Sequence, residues 1–353
     1  MTYLPTLFST DCDDAATREV GQLLGGWMAT QVVRVVAELG VPDYLAEGPC
    51  TVADLAVRTG AAIDPLARLL SVAAVYRIVA REPTADPATD RYQLTETGQI
   101  LRSDVPGSLR ALAIGFVAPP LWDGLGRLGD VVRDGQPVDR GAPGGPWEYF
   151  ENNPDAAGWF ARAMSEGTTT MVGQLRAAGY TVPQDAKRVV DVGGSRGTLL
   201  AYLLQTAPAV SGVLLDRAEA LAEAPAVLAA AGVAERAELR PGNFFAAVPE
   251  GDVHILSNIL HDWDDKVGRA ILRSCHKAGQ PGSLLIVFSF LLSPAVDPPQ
   301  PHLMDLLMMT VEGGRERTLD EMRELLASGG YEFIRDVPLP GPMPWHAIEF
   351  RRI

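Results

Sequence analysis

Val189-Val-Asp-Val-Gly-Gly-Ser-Arg-Gly-Thr-Leu-Leu200 is the stretch whose reading decides the fold. It opens as an apolar run of strand length, passes through a glycine turn and closes on the start of an apolar helix. That order makes a nucleotide-type site, because glycine lets the backbone approach a ligand closely and a helix start offers free N–H groups. The dinucleotide pattern GxGxxG is absent; what stands is Asp191-x-Gly193-x-Ser195-x-Gly197, with Gly194 beside the first loop glycine. A purely structural strand-to-helix turn would read the same way, so the loop needs supporting residues elsewhere.

Those residues follow at the ends of later strands. From Lys187 onward, apolar runs alternate with helical patterns, as in a parallel sheet with crossovers. Strands are expected at Arg188–Val192, Val210–Leu215, Ala237–Arg240, Val253–Leu256, Ser283–Phe288, Phe333–Val337 and Ala347–Arg351. The last two are joined by a loop too short for a parallel crossover, so they should pair antiparallel. Asp216 ends the second strand, where a carboxylate can accept hydrogen bonds from both hydroxyls of a ribose. Asn243, in Arg240-Pro-Gly-Asn-Phe-Phe245, can address an adenine amine and Phe244 can cover its face; a plain turn with two core phenylalanines is the competing reading.

Upstream, the first 180 residues read as helical. Apolar residues recur at helical spacing through Val20–Leu39, Thr51–Val57 and Asp64–Val79, with Thr51 and Asp64 as expected caps and Pro65 at a first helical position. A hairpin is expected from Ile78–Arg81 and Tyr92–Thr95, around the turn-rich EPTADPATD. Helix, helix and wing suggest a winged helix, and so raise DNA binding. Against it, Thr51–Val79 carries Arg58, Arg68 and Arg77 against two aspartates, whereas a reading helix concentrates basic charge. Packing or dimerisation is the preferred role. Pro and Gly cluster at 135–146 and 293–301, both read as loops. The expected division is a winged-helix-like dimerisation domain over 1–105, a helical linker and substrate-pocket region over 106–180, and a Rossmann-like catalytic domain over 181–353.

With 353 residues the chain is long enough for two cores, and a net charge of -14 opposes attraction to nucleic acid phosphates or anionic lipid. Neither nucleic acid nor membrane is expected as a partner, and no apolar stretch approaches membrane-span length. Cys12, Cys50 and Cys275 match no disulfide framework, so free thiols and a reducing cytosol are expected. MTYLPTLFSTDCDD has no basic region followed by an apolar run, and the expected location is cytoplasmic.

The densest chemistry lies in Ser257-Asn-Ile-Leu-His-Asp-Trp-Asp-Asp265, after the fourth strand at the carboxyl edge of the sheet, where ligands of open α/β folds bind. A lone histidine is more often a structural hydrogen bonder than a catalyst, but His261 stands where a cofactor's reactive carbon should point. No H-x3-H or HExxH spacing appears among His254, His261 and His302, so no metal is expected.

Taken together, YQLTETGQILRSDVPGSLR, VVDVGGSRGTLL, LRPGNFFAAVPEGD, ILHDWDD and MDLLMMTVEGGRERTLDEM resemble the plant-type and bacterial polyketide O-methyltransferases, and the glycine loop is similar to the DxGxGxG loop of methyltransferases. The resemblance implies a homodimer with a winged-helix-like N-terminal domain, and S-adenosylmethionine held by Gly193, Gly194, Gly197, Asp216, Asn243, Phe244 and Ser257. It implies His261 as general base, and Glu316 as the carboxylate that fixes the imidazole tautomer. Trp122, Phe160, Met164, Asp262 and Met308 are expected to contact an aromatic acceptor, with Phe116 and Met304 nearby. Core packing accounts for the aromatic residues and methionines among them equally well.

Three positions depart from the family pattern. Ser195 replaces a loop glycine, Asn243 replaces an aspartate, and Ser289 stands where many members carry a second glutamate. The expected function is methyl transfer to a phenolic hydroxyl assisted by His261. The alternative is a hydroxylase, decarboxylase or cyclase on the same scaffold, using the cofactor only structurally.

Overall fold

A computed structural model of the chain describes residues 15–136, 146–295, 298–311 and 313–353. Cys12 and most of the Pro and Gly cluster at 135–146 lie outside the described residues. The chain divides into two compact units, Met1–Pro119 with Pro154–Glu166, and Pro120–Asn153 with Gly167–Ile353.

In the first unit, α1 (Ala15–Glu38), α2 (Val41–Ala46), α3 (Val52–Thr59), α4 (Ile63–Val75), α5 (Glu96–Gln99) and α6 (Arg110–Gly115) accompany a small antiparallel sheet. Its strands, β1 (Cys50–Thr51), β2 (Val79–Glu82) and β3 (Arg91–Leu94), run in the order β1-β3-β2. Val36, Val41, Leu55, Leu70, Ile78 and Tyr92 form its core. The hairpin falls where the sequence places it, and β1 is an addition too short to show a period-two pattern. Thr51 caps α3 as expected, in a capping box with Asp54. The start of α4 corrects the sequence reading. Ala62 is its N-cap with no side-chain bond, and Asp64 sits inside the first turn, where its charge suits the helix dipole. The helix also ends at Val75 rather than Val79.

Next in chain order come α7 (Pro119–Gly126), α8 (Leu128–Asp134), α9 (Pro146–Asn152) and α10 (Pro154–Ala177), the early turns of α10 belonging to the first unit. The second unit is built on a seven-stranded sheet. Its strands are β4 (Arg188–Val192), β5 (Ser211–Asp216), β6 (Ala237–Pro241), β7 (Val253–Ser257), β8 (Leu284–Ser289), β9 (Tyr331–Pro338) and β10 (His346–Arg352), in the order β6-β5-β4-β7-β8-β10-β9. The pairs among β4 to β8 are parallel, and β10 is antiparallel to both its neighbours. The expected antiparallel last strand is therefore present, inserted second from the edge.

Alternation along each strand feeds two layers. Val189, Leu214, Ile255, Ile286 and Phe288 face a core with Met171 and Leu175 of α10, α11 (Thr198–Thr206) and α12 (Ala224–Ala230). Val190, Val192, Val213, Leu215, Leu256 and Val287 face the other, under α13 (Asp265–Ala278) and α15 (Leu319–Ser328). One helix, α14 (Gln300–Val311), begins inside the 293–301 stretch read as a loop. Among the described residues, no helix is long and apolar enough to cross a membrane.

Candidate active site

Parallel strands deliver their loops to one edge of the sheet, and the site is assembled there. At the end of β4 the chain turns at Gly193, with φ +75°. A Cβ at Gly193 would lie 2.4 Å from Ile259 Cδ1 and 3.7 Å from the Phe244 ring, so three strand-end loops meet at a point where only glycine fits. Gly193 N–H donates to Leu215 O at 2.7 Å, tying the loop to β5. Gly194 follows, and Gly197 is the N-cap of α11. Ser195 is also left-handed, at φ +50°, a conformation that glycine adopts without steric cost.

Asp216, at the end of β5, accepts from Ser195 N–H at 2.8 Å and from Arg217 N–H at 2.7 Å, and burial raises its pKa. Asp191, at the root of the glycine loop, is 1% exposed, and neither carboxylate oxygen makes a hydrogen bond of normal geometry. Burial first, then the neighbouring charge of Asp216, pushes its pKa up to about 7. A buried, unsatisfied acceptor under a glycine turn fits a cationic, hydrogen-donating ligand group such as the ammonium of S-adenosylmethionine. The residues present therefore suit that cofactor.

The remaining cofactor candidates lie on the same edge. Asn243 is exposed after β6, and its Oδ1 accepts from Phe245 N–H at 2.9 Å, closing its own turn. Phe244 is half-buried, with its ring centroid 4.7 Å from that of Phe245, which stands edge-on to Trp263 at 5.2 Å. Ser257 ends β7, in register with Phe288 of β8.

The acid/base cluster forms where a short 3-10 turn, Leu260–Asp262, meets the segment before α15. The Nδ1 of His261 lies 2.8 Å from Glu316 Oε1, and its Nε2 lies 3.4 Å from Asp262 Oδ1, an ion-pair distance rather than a hydrogen bond. Glu316 is buried; its N–H donates to Asp305 Oδ1 at 2.9 Å, and Ser289 Oγ donates to its Oε2 at 3.4 Å. Ser289 therefore supports the remaining glutamate with a neutral hydrogen bond. Burial alone would lower the His261 pKa, but Glu316, then Asp262, more than offset it and lift the imidazole to about 9, while Arg317 pulls the other way. Burial lifts Asp262 to about 6 against the pull of His261.

Backbone contact locks the two segments together. Arg315 N–H donates to His261 O at 2.8 Å, and a Cβ on Gly314 would come within 2.0 Å of that same oxygen, so this approach requires glycine. Arg317, which sequence reasoning passed over, is 1% exposed and bonds to the carbonyls of Leu260 and Trp263 and to Asp265. Nothing in its sequence neighbourhood marks it as buried.

Of the acceptor candidates, Trp122 lies on α7 and Met308 on α14; Gly124 of α7 rests against Val311 and Thr310 at the end of α14. Met304, also on α14, packs against the core. Phe116, Phe160 and Met164 belong to the first unit, Phe116 as the C-cap of α6 and the other two on α10. Among the described residues, no group of three or more His, Cys, Asp or Glu is arranged to hold a metal ion.

Comparison with known proteins gives the family. The O-methyltransferase domain family matches residues 125–332, and the O-methyltransferase dimerisation domain family matches residues 21–104. A mitomycin biosynthesis 6-O-methyltransferase of Streptomyces lavendulae is 35% identical over 345 residues, covering 96% of this chain and 95% of the relative. The structure of a mitomycin 7-O-methyltransferase superposes with a TM-score of 0.85 at 33% identity, over 96% of this chain and 98% of that one. An O-methyltransferase from neocarzinostatin biosynthesis, solved with S-adenosylmethionine and 2-hydroxy-5-methyl naphthoic acid, gives a TM-score of 0.75 at 30% identity, over 92% and 96%. The chain thus belongs to the O-methyltransferase family and is an S-adenosylmethionine-dependent enzyme.

Proposed function

We propose that this enzyme methylates a phenolic hydroxyl of an aromatic small molecule, with His261 as the general base. The observation that carries the reading is the 2.8 Å contact between His261 Nδ1 and the buried Glu316. A carboxylate only accepts, so in the neutral imidazole Nδ1 holds the proton and Nε2 is the nitrogen with a free lone pair. When bound, S-adenosylmethionine supplies a methyl group on a sulfonium, already electrophilic. The protein's tasks are to align an oxygen behind that methyl, to exclude water and to take the hydroxyl proton. A phenol with a pKa near 10 is mostly neutral at pH 7, which is why a base helps. His261 takes the proton at Nε2, and Glu316 stabilises the imidazolium that results.

For the cofactor we assign Gly193, Gly194 and Gly197 to the backbone cradle, Asp216 to the ribose and Phe244 to the face of the adenine. Ser257 lies beside them at the end of β7. Asn243 is assigned to the adenine edge, its amide nitrogen being the group not engaged in the turn with Phe245. Trp122, Asp262 and Met308 are assigned to the acceptor. Of the relatives named above, two are a mitomycin biosynthesis 6-O-methyltransferase and a mitomycin 7-O-methyltransferase, and the third was solved with a hydroxynaphthoic acid, which favours a planar aromatic acceptor.

Two copies are proposed to associate through α1. Val20, Leu23, Leu24 and Trp27 are all exposed and fall at helical spacing on one face, inside the segment matched by the dimerisation domain family.

The decisive experiment incubates the protein with methyl-labelled S-adenosylmethionine and a panel of aromatic hydroxy compounds and aromatic acids. Label in an ether product that His261→Ala reduces by about 10²- to 10⁴-fold supports the proposal. An ester product unaffected by His261→Ala overturns the base assignment, because a carboxylate acceptor needs no base. A hydroxylated or decarboxylated product with the cofactor recovered intact overturns methyl transfer.

A further inference from the structure

We propose that Arg317 is the positioning residue of this active site: its buried guanidinium holds the two segments that carry His261 and Glu316 in the one alignment where the imidazole works as a base. The inference rests on the reading of His261 as that base.

The geometry is specific. Arg317 Nη1 donates to Leu260 O at 2.8 Å and Nη2 to Trp263 O at 2.9 Å, and these carbonyls flank the His261–Asp262 pair on either side. Nε and Nη2 donate to Asp265 Oδ1 at 3.1 and 2.8 Å, anchoring the fork at the start of α13. The backbone of Arg317 accepts from Leu292 N–H at 2.9 Å, fixing the residue to the chain that leaves β8. Because Arg317 directly follows Glu316, one peptide unit transmits that anchoring to the carboxylate. A guanidinium offers five donors in a rigid plane and can bracket two carbonyls and a carboxylate at once; an ammonium on a flexible stem cannot.

The same group acts on the imidazole electrostatically. The charged groups facing His261 are Glu316 and Asp262, which favour its protonation, and Arg317, which opposes it. Asp305, on α14, faces Glu316 through the backbone N–H it accepts. Arg317 therefore supports His261 in two ways, by fixing its backbone and by favouring the neutral form that can receive a proton.

A buried arginine satisfied by carbonyls is also an ordinary loop staple, and the test separates the two roles. Arg317→Met and Arg317→Lys are made in the native chain and in the His261→Ala background, with calorimetric binding of S-adenosylhomocysteine as a check on the cofactor site. The expected result is a loss in kcat of roughly 10²-fold for both variants, as for a misaligned catalytic group, with cofactor affinity unchanged. In the His261→Ala background the further loss should be less than about 3-fold, because the residues act through one another. Arg317→Met, which removes the charge, should move the rise of kcat/KM with pH to higher pH; Arg317→Lys, which keeps it, should not. Partial recovery of Arg317→Ala by free guanidinium ion is expected as well.

An equal loss in both backgrounds, or an unchanged kcat with only a lower melting temperature, overturns the proposal. If Arg317→Met fails to fold, Asp265→Asn loosens the anchor while keeping the charge; it should lower kcat without moving the pH profile, and an unchanged kcat overturns the proposal. Full turnover of a phenol by His261→Ala would instead refute the base reading itself.

Discussion

Glu316 and His261 lie 55 residues apart in the chain and 2.8 Å apart in the fold, with only 1% of the glutamate side chain open to solvent. The bond sets which imidazole nitrogen carries the proton, and the charge behind it sets how tightly that proton pair is held. With the imidazole lifted to about 9, the protonated form of His261 predominates at pH 7.

The rate should therefore climb with pH. For a phenolic acceptor, kcat/KM is expected to rise from pH 7 and level off above pH 9, as the imidazole becomes neutral. Glu316→Gln preserves an acceptor for Nδ1 but removes the negative charge, so the midpoint should move down toward the ordinary histidine value, while the plateau falls by about tenfold or more from the weaker base. Because the acceptor is the same in both enzymes, a midpoint that moves belongs to the protein and not to the ionising phenol. An identical midpoint in the two proteins would remove His261 from the step.

Asp191 presents the opposite case, a charge with no partner. Its pKa is raised from 3.8 to about 7, so the folded protein resists its ionisation; the stability it contributes is complete below the unfolded value and is lost as pH rises through about 7. Displacing a carboxyl that far corresponds to on the order of 4 kcal/mol. Asp191→Asn should therefore raise the melting temperature of the cofactor-free protein at pH 8 and have little effect at pH 4. Calorimetry should show weaker uptake of S-adenosylmethionine at the same time. If the variant binds as tightly as the native chain, the unsatisfied acid is not a cofactor group.

Much of this architecture is legible in the residues, for identifiable reasons. Strands such as Arg188–Val192 and Leu284–Ser289 are buried on both faces, so they read as continuous apolar runs. The glycine turn shows because chain direction and close approach require glycine. What escaped depends on contacts between distant segments. Arg317 sits among Arg315, Glu316 and Thr318 and reads as part of a solvated charged stretch, until Leu260 and Trp263 arrive from more than fifty residues away. The two residues of β1 carry no period, and Ala62 caps α4 by backbone conformation alone. Asn243 carries side-chain chemistry that a turn can absorb locally.

Ser195 offers a test of how far the departure from a loop glycine matters. At φ +50° a serine bears a backbone cost of about 1–2 kcal/mol that glycine avoids, partly offset by the greater freedom of glycine in the unfolded chain. Ser195→Gly should therefore stabilise the protein by less than about 1 kcal/mol and leave cofactor affinity unchanged, because the bond to Asp216 comes from the backbone N–H. Ser195→Val, with a β-branched side chain at a positive φ, should lower the melting temperature. A loss of cofactor binding in Ser195→Gly would show that the hydroxyl itself is used.

The apolar face of α1 carries the last prediction. Leu23 is 74% exposed and Trp27 57%, one helical turn apart, on a helix whose buried residues are Gly25, Val32, Val36 and Ala37. Water-exposed leucine and tryptophan at that spacing are costly to leave uncovered, and a second copy can cover them with the same patch across a two-fold axis. Leu23→Glu with Trp27→Glu places like charges across such an interface. Sedimentation should then show one chain where the native protein shows two, with far-UV circular dichroism unchanged. A native protein that sediments as a single chain at micromolar concentration, or a doubly charged variant that still pairs, would move the contact away from this face of α1.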